Sequence, residues 1–431
     1  MIPSKTTPLH PVTARRVPVA IVGGGQAGLA MSWLLKQRGI EHIVFERHRV
    51  AHEWREARWD SFCLVTPNWQ CRLPGWPYAG RDPHGFMLKD EIVAYLEGYA
   101  ASFAPPLCEG TSVTRLRPLD DGGFELKTTG GDWIAGQVVI ATGGYHTPIV
   151  PRSAERLPAS VLQLHSSNYR NPHSLPAGAV LVVGTGQSGC QIAEDLHLAG
   201  RQVHLAVGTA PRSPRVYRGK EVTDWLTESG YYDIAYEQHP QKETVREKTN
   251  HYLTGRDGGR EIDLRRFARE GMQLYGRFDE SRRDGEQIEV RFIADLKHNL
   301  DQADASYLAI RASIDQYIAA RGIEAPPEAP YVPVWEPDAE PTSLDLQAAG
   351  ITTVIWAIGF AADYRWVEAP LFDGRGRPVQ RRGVTGVDGL YFLGLPWQNT
   401  WGSGRFADVG RDAEYLLEHI APAQRDRRAA S

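Results

Sequence analysis

Apolar and polar positions along the chain trace the same figure twice. Val19-Ala20-Ile21-Val22 is a short, wholly apolar run of the kind a buried parallel strand needs. Gly23-Gly24-Gly25-Gln26-Ala27-Gly28 follows at once. Leu29 to Arg38 then has helical spacing and stops at Gly39, and His42-Ile43-Val44-Phe45-Glu46 is a further strand. The figure restarts at Ala179-Val180-Leu181-Val182-Val183, turns through Gly184-Thr185-Gly186-Gln187-Ser188-Gly189, runs helically from Cys190 to Ala199, and ends in a strand over Gln202 to Val207.

Between and beyond these units the pattern changes. Residues 86–104 have amphipathic helical spacing, and 111–135 read as a β-meander with glycine turns at 120–123 and 130–132. Residues 137–144 are a buried strand entering a tight turn at Thr142-Gly143-Gly144. A long polar stretch, 212–325, has mostly helical character, and 325–341 is a Pro-rich connector. Strand and turn return at Thr353 to Gly359 and at Leu390 to Gly394. The pattern predicts an α/β chain with two nested Rossmann-like dinucleotide-binding domains and a mainly helical insert. The expected divisions are a leader over 1–14, a first domain over 15–150, a linker over 151–175, a second domain core over 176–211, the insert and connector over 212–341, and a return to the first domain over 342–431.

Each glycine turn has the context that gives the motif meaning: an apolar strand before it and a helix after it. Gly23 permits the tight turn, Gly25 lets backbone approach a pyrophosphate, and Gly28 lets the helix pack closely on the sheet. Gln26 and Ala27 open the helix, whose free N–H groups and partial positive charge suit phosphate. Glu46 ends the next strand, where a carboxylate can bind an adenosine ribose. Gly184, Gly186, Gln187, Ser188 and Gly189 repeat the arrangement, but Val207-Gly208-Thr209 carries no acid. Arg212 and Arg215 come just after. A missing carboxylate and nearby guanidinium groups favour a 2′-phosphate, hence NADPH over NADH. Two such sites suggest hydride passing from a nicotinamide to a flavin, with FAD in the first domain.

Composition narrows the setting. With 431 residues and a net charge of −4, the chain has no basic bias toward nucleic acid or acidic membrane. No apolar run approaches the roughly 20 residues of a spanning helix, and the leader lacks the apolar core of a signal peptide. Cys63, Cys71, Cys108 and Cys190 form no close pair, so reduced thiols and a cytoplasmic location are expected. No Cys/His cluster has metal-ligand spacing, and no metal is expected.

The chain resembles the flavin-containing monooxygenases of the two-dinucleotide-domain type. The residues that carry the likeness are GGGQAG at 23–28, Trp54, Trp59-Asp60, Thr66-Pro67-Asn68-Trp69, ATGGY at 141–145, GTGQSG at 184–189, WAIGF at 356–360 and LYFLG at 390–394. LVTPNW, YLTGRDGGR and PWQNTWGSG point more narrowly to a bacterial flavin-dependent oxidoreductase subgroup. The resemblance implies that Trp54, Thr142, Gly143, His165, Gly359, Gly394 and Asn399 lie along the cofactors. It also implies that Asn68 steadies a C4a-flavin peroxide as a catalytic residue, from which one oxygen atom passes to a nitrogen, sulfur or carbonyl centre of a small substrate, with O2 as partner. The family's linker signature is half kept: His165 and Tyr169 fit, whereas Ala159 and Val161 replace its Phe and Gly. That departure leaves open an NADPH-dependent dehydrogenase or oxidase on the same fold. A dinucleotide-sensing regulatory protein is a third reading. The insert is expected to cap the active site or to form a homodimer contact.

Overall fold

Strand β1 (Arg15–Val22) is apolar at its end because it lies inside a sheet with parallel neighbours on both sides. The computed structural model describes residues 14–421, apart from 248 and 286, so the expected leader lies outside the described residues except for position 14. Helix α1 (Gln26–Gln37) follows the first glycine turn, and β2 (His42–Phe45) pairs with β1. On its other side β1 pairs with β3 (Gly131–Ile140). These strands centre a nine-stranded sheet. Helix Lys89–Phe103 packs its Ile92, Leu96 and Tyr99 into the same core as Leu29 and Leu35 of α1.

The second unit repeats the first. Strand β4 (Ala179–Val183) leads into α2 (Gln187–Leu198) and on to β5 (Val203–Ala206). Its sheet has five strands, all parallel: Leu162–His165, then β6 (Ile351–Trp356), β4, β5 and Gln273–Tyr275. This corrects the expected divisions. Residues 162–165 of the linker, 273–275 of the insert and 351–356 of the return segment all belong to the second sheet. The apolar run of β6 is explained by the place it takes, between Leu162–His165 and β4.

The insert, expected to be mainly helical, also holds strands that were not expected. It does contain a 26-residue helix, α3 (Leu296–Arg321). Beside it run two hairpins, Val216–Tyr217 with Lys220–Glu221 and Phe278–Asp284 with Gln287–Phe292, the second extended by Ser343–Asp345. The charged run at 279–284 hid a strand, because alternation of apolar and polar residues is weak there.

The chain re-enters the first sheet at β7 (Leu390–Phe392), parallel to β3. It closes with α4 (Val409–Ile420), whose Val409, Ala413, Leu416 and Leu417 share the core of α1. Among the described residues no helix is long and apolar enough to cross a membrane.

Candidate active site

The two glycine turns have the same construction, atom for atom. Gly23 has φ +112°, and a Cβ there would stand 2.6 Å from the Ala141 carbonyl oxygen. Gly184 has φ +104°, and a Cβ there would stand 2.7 Å from the Ala357 carbonyl oxygen. A Cβ on Gly28 would lie 1.9 Å from the Gly23 carbonyl oxygen, and one on Gly189 would lie 1.9 Å from that of Gly184. Each helix therefore sits hard against its own turn, a closeness only glycine allows.

Gly25 is different. A Cβ there meets nothing within 4 Å, and the same holds at Gly143 and Gly144. Gly25 is the N-cap of α1, with no side-chain cap and no acidic residue in the first turn. Gly186 caps α2 in the same way. The start of α1 faces open space, a Cβ on Gly186 at the start of α2 would meet Thr249 Cγ2 at 3.7 Å, and each start presents N–H groups and a partial positive charge to an anion. Glu46 closes the first cradle: its carboxylate accepts from the Gly24 N–H and the His48 N–H, both at 2.8 Å. In the second cradle the tie is reversed, with Gly208 N–H donating to the Thr185 hydroxyl at 2.9 Å. Thr142 Oγ1, at the mouth of the first cradle, is buried without a hydrogen-bond partner. An unpartnered buried hydroxyl beside an open glycine face is what a polar ligand would satisfy.

The return segment completes the first cradle. A Cβ on Gly394, at φ +90°, would lie 2.7 Å from Ala27 Cβ. Gln26 Nε2 donates to the Gly404 carbonyl at 3.1 Å. Trp54 stacks on Phe406 with centroids 5.6 Å apart. The insert covers this segment: Tyr232 stacks on Trp401 at 4.0 Å, and Arg405 lies over the same Trp401 ring at 4.1 Å. Asn399 holds the turn by its backbone, donating to Ser403 Oγ at 2.9 Å and accepting from Tyr236 N–H at 2.7 Å.

Other expected site residues have different work. Arg212 and Arg215 are buried and engaged inside the protein, so neither presents a free guanidinium to a 2′-phosphate. Arg212 pairs with Glu261, with Asp304 at 2.9 Å and with Asp263 at 3.4 Å, and lies over the Tyr307 ring. Arg215 donates to the Val65 carbonyl at 2.7 Å, pairs with Glu221 at 3.3 Å and lies over Phe86. Asn68 is buried, but its Oδ1 accepts from Met87 N–H at 2.7 Å and its Nδ2 donates to the Asp82 carbonyl at 2.9 Å. That carboxamide braces the 68–87 loop, and its oxygen is not free to face a flavin. His165 contacts the Gly359 carbonyl at 3.0 Å and Ser167 Oγ at 2.9 Å, and burial lowers its pKa. It fastens strand to turn. Gln187 donates across to the Leu253 carbonyl. Ser188 sits beside it in the first turn of α2.

One residue went unnoticed in the sequence. Asp195, buried on α2, accepts from Tyr169 OH at 2.6 Å and from Ser61 Oγ at 2.7 Å, and pairs with Arg256 at 2.7 Å. Its signal was the spacing Gln187, Gln191, Glu194, Asp195, which sets polar side chains along one helix face that then becomes buried.

A family model for the pyridine nucleotide-disulphide oxidoreductases matches residues 20–267, which span the first cradle, the second cradle and much of the insert. The chain belongs to this family. It is also 34% identical over 407 residues to an uncharacterized CzcO-like oxidoreductase of Geobacillus kaustophilus, covering 94% of this chain and 98% of that protein. The indole-3-pyruvate monooxygenase YUCCA1 of Oryza sativa is 32% identical over 190 residues, which is 43% of this chain and 47% of that one. In fold, the chain matches the flavin-containing monooxygenase of Stenotrophomonas maltophilia with TM-score 0.61 and 18% identity, over 94% of this chain and 98% of that one. It matches the bacillithiol disulfide reductase of Bacillus cereus with TM-score 0.59 and 14% identity, over 94% and 99%. The chain is an oxidoreductase of this family, with the fold of the flavin-containing monooxygenase it matches. All four of its cysteines are free. Burial pushes the Cys63 thiol up to about 11 and the Cys71 thiol up to about 12, away from the reactive thiolate form.

Proposed function

We propose that the protein is an FAD-dependent, NADPH-using monooxygenase that places one atom of O2 on a nitrogen, sulfur or carbonyl centre of a small organic substrate. The balance is NADPH, a proton, O2 and substrate giving NADP+, water and oxygenated substrate. The observation that carries the reading is the pair of matched, uncapped cradles in one chain. One cradle alone would serve a simple dehydrogenase.

The residues fit the two dinucleotides. The start of α1, with Gly25 open beside it, would hold the FAD pyrophosphate, and Glu46 the adenosine ribose. Thr142 and the 394–405 segment would lie along the flavin. The start of α2 would hold the nicotinamide dinucleotide. Bound FAD supplies the chemistry: it accepts hydride and, once reduced, reacts with O2. The protein binds, orients and excludes water, and the Tyr232–Trp401 stack and the overlying insert serve the last of these. NADPH over NADH rests on the missing acid after β5 and no longer on Arg212 or Arg215. The free thiols support a cytoplasmic location, and a homodimer contact is a further role open to the insert.

The test is incubation of purified, FAD-loaded protein with NADPH, 18O2 and a panel of amines, thioethers and ketones. Transfer of 18O into product, with NADPH oxidised faster than NADH, is the expected result. A second reading has its own support. The Ala159 and Val161 departures and the braced Asn68 carboxamide favour an oxidase, in which all reducing equivalents appear as H2O2. Complete H2O2 recovery with every substrate would establish that reading in place of the first.

A further inference from the structure

The YLTGRDGGR stretch lies outside both cradles, yet it touches both units. Its loop, 254–260, is tightly wound: Asp257, Gly258 and Gly259 have φ of +52°, +81° and +94°. On one side it grips α2. Gln191 Nε2 donates to the Leu253 carbonyl at 3.0 Å, as Gln187 does, Arg260 pairs with Glu194 at 3.1 Å, and Arg256 pairs with Asp195 at 2.7 Å. These partners fall on one face of the helix whose first turn forms the second cradle. Glu194 and Asp195 are 2% and 4% exposed, so the grip is a buried one.

On its other side the loop bears on the first unit through glycine backbone, against the Leu64 carbonyl and the Phe86 side chain. A Cβ on Gly255 would lie 2.0 Å from the Leu64 carbonyl oxygen and 2.7 Å from Phe86. A Cβ on Gly259 would lie 2.7 Å from the Phe86 ring and 2.8 Å from Arg215 Nε. Ser61 of the first unit reaches the same Asp195 from below. A cavity at this junction is lined by Ser61, Cys63, Glu194 and Arg256.

We propose that the 254–260 loop is a spacer that sets the position of α2, and so of the nicotinamide cradle, against the 61–86 stretch of the flavin unit. Arg256 and Asp195 are its positioning residues. The proposal rests on the reading of the two cradles as nicotinamide and FAD sites. Hydride transfer needs donor and acceptor at close range, and a displacement of about 1 Å can cost on the order of a hundredfold in rate. Apart from the Leu253 carbonyl, which accepts from Gln187 at the start of α2, the contacts of the loop are to side chains further along the helix and to the opposite unit, so the loop acts on distance more than on affinity.

The test uses the full chain loaded with FAD. Spin labels are placed at two exposed positions, Ala94→Cys on the Lys89–Phe103 helix of the first unit and Ala199→Cys at the C-cap of α2 in the second, in a Cys108→Ser background, and their distance distribution is measured. Arg256→Ala and, separately, Gly259→Ala should shift or broaden it, and Arg256→Lys should restore most of the original distribution. Without labels, the same Ala variants should keep their FAD and hold the Kd for NADPH within about twofold, while the limiting rate of flavin reduction falls about tenfold or more. An unchanged distance distribution overturns the proposal. So does a shift in distance that leaves the limiting rate intact, or a loss confined to Kd. If NADPH fails to reduce the flavin of the parent protein, the assignment of the cradles fails, and the label distances still decide whether the loop is a spacer.

Discussion

Tyr169 gives its phenolic hydrogen to Asp195 Oδ2 at 2.6 Å, with both side chains buried. The pair ties the linker between the units to the helix of the second cradle. Burial and the adjacent carboxylate raise the phenol's pKa, so Tyr169 remains a donor throughout the working range. Tyr169→Phe removes the donor and leaves one carboxylate oxygen without it. A hydrogen bond to a charged group contributes about 1.5–3 kcal/mol, and the variant should lose that much in urea unfolding at unchanged m-value. A loss below about 0.5 kcal/mol would mean that Ser61 and Arg256 hold Asp195 unaided.

The first turn separates folding from binding. Gly25→Ala adds a Cβ into open space, so its thermal stability without cofactor should match the parent. Its FAD content after purification should fall sharply, because that space is where the pyrophosphate would lie. Gly28→Ala should instead lose apoprotein stability, since its Cβ meets the Gly23 carbonyl at 1.9 Å. FAD retained in full by Gly25→Ala would remove the pyrophosphate from that position. Gly186→Ala, whose Cβ would meet only Thr249 Cγ2 at 3.7 Å, should keep FAD while weakening NADPH binding, read by titration.

Arg212→Ala should change stability and not coenzyme choice. It removes a counter-ion from Glu261, Asp263 and Asp304 at once and leaves Asp304 to Arg265 at 2.8 Å. Breaking a buried ion cluster from one side costs about 3–5 kcal/mol. The ratio of NADPH to NADH efficiency should stay within about twofold, since each 1.4 kcal/mol would move it tenfold. A collapse of that ratio would return Arg212 to the coenzyme site.

Asp412, on α4 beside Ser403, has its pKa pushed up to about 6 by burial, against the lowering effect of the Ser403 hydroxyl and of Arg382 and Arg411, with Asp408 adding to the rise. The folded protein therefore holds this proton where the unfolded chain has released it. The contribution to stability is full below about pH 4 and is lost as pH rises to about 6, a change of about 3 kcal/mol. Asp412→Asn should remove that slope. Urea unfolding at pH 4.5 and pH 7 checks it: the stability of the parent relative to Asp412→Asn should be lower at the higher pH. A parent-to-variant difference that does not vary with pH would place the carboxyl in contact with water.

The two cradles were legible because each is local. A strand, a glycine turn and a helix sit within about 30 residues, and their periodicity survives any tertiary context. Glu46 was legible for the same reason. Arg212 and Arg215 were not, because proximity in sequence to the second cradle says nothing of Asp304 or Glu221, which the fold brings to them. The bracing role of Asn68 was not legible either, since its partners Asp82 and Met87 lie across a loop. The strand at 278–284 was missed because Glu280 to Asp284 reads as a charged stretch, and only its pairing with 287–292 makes it a strand. Asp195 shows the converse. Its spacing with Gln187 and Gln191 was visible, but a polar helix face is usually solvated, and burial by the 254–260 loop depends on residues far along the chain.

The re-entry of the chain at β7 and α4 bears on how the protein is made. As the ribosome releases the first domain, β3 has β1 on one side but lacks its parallel neighbour Leu390–Phe392, and the α1 core lacks Val409 to Leu417. The nascent first unit thus carries an open sheet edge and an apolar patch until residues 390–417 have emerged. At about 5–20 residues per second that wait lasts tens of seconds. During it, both exposed surfaces are natural clients for chaperones. The cradle that would hold FAD is incomplete until the 394–405 segment has emerged, several hundred residues after the glycine turn that begins it.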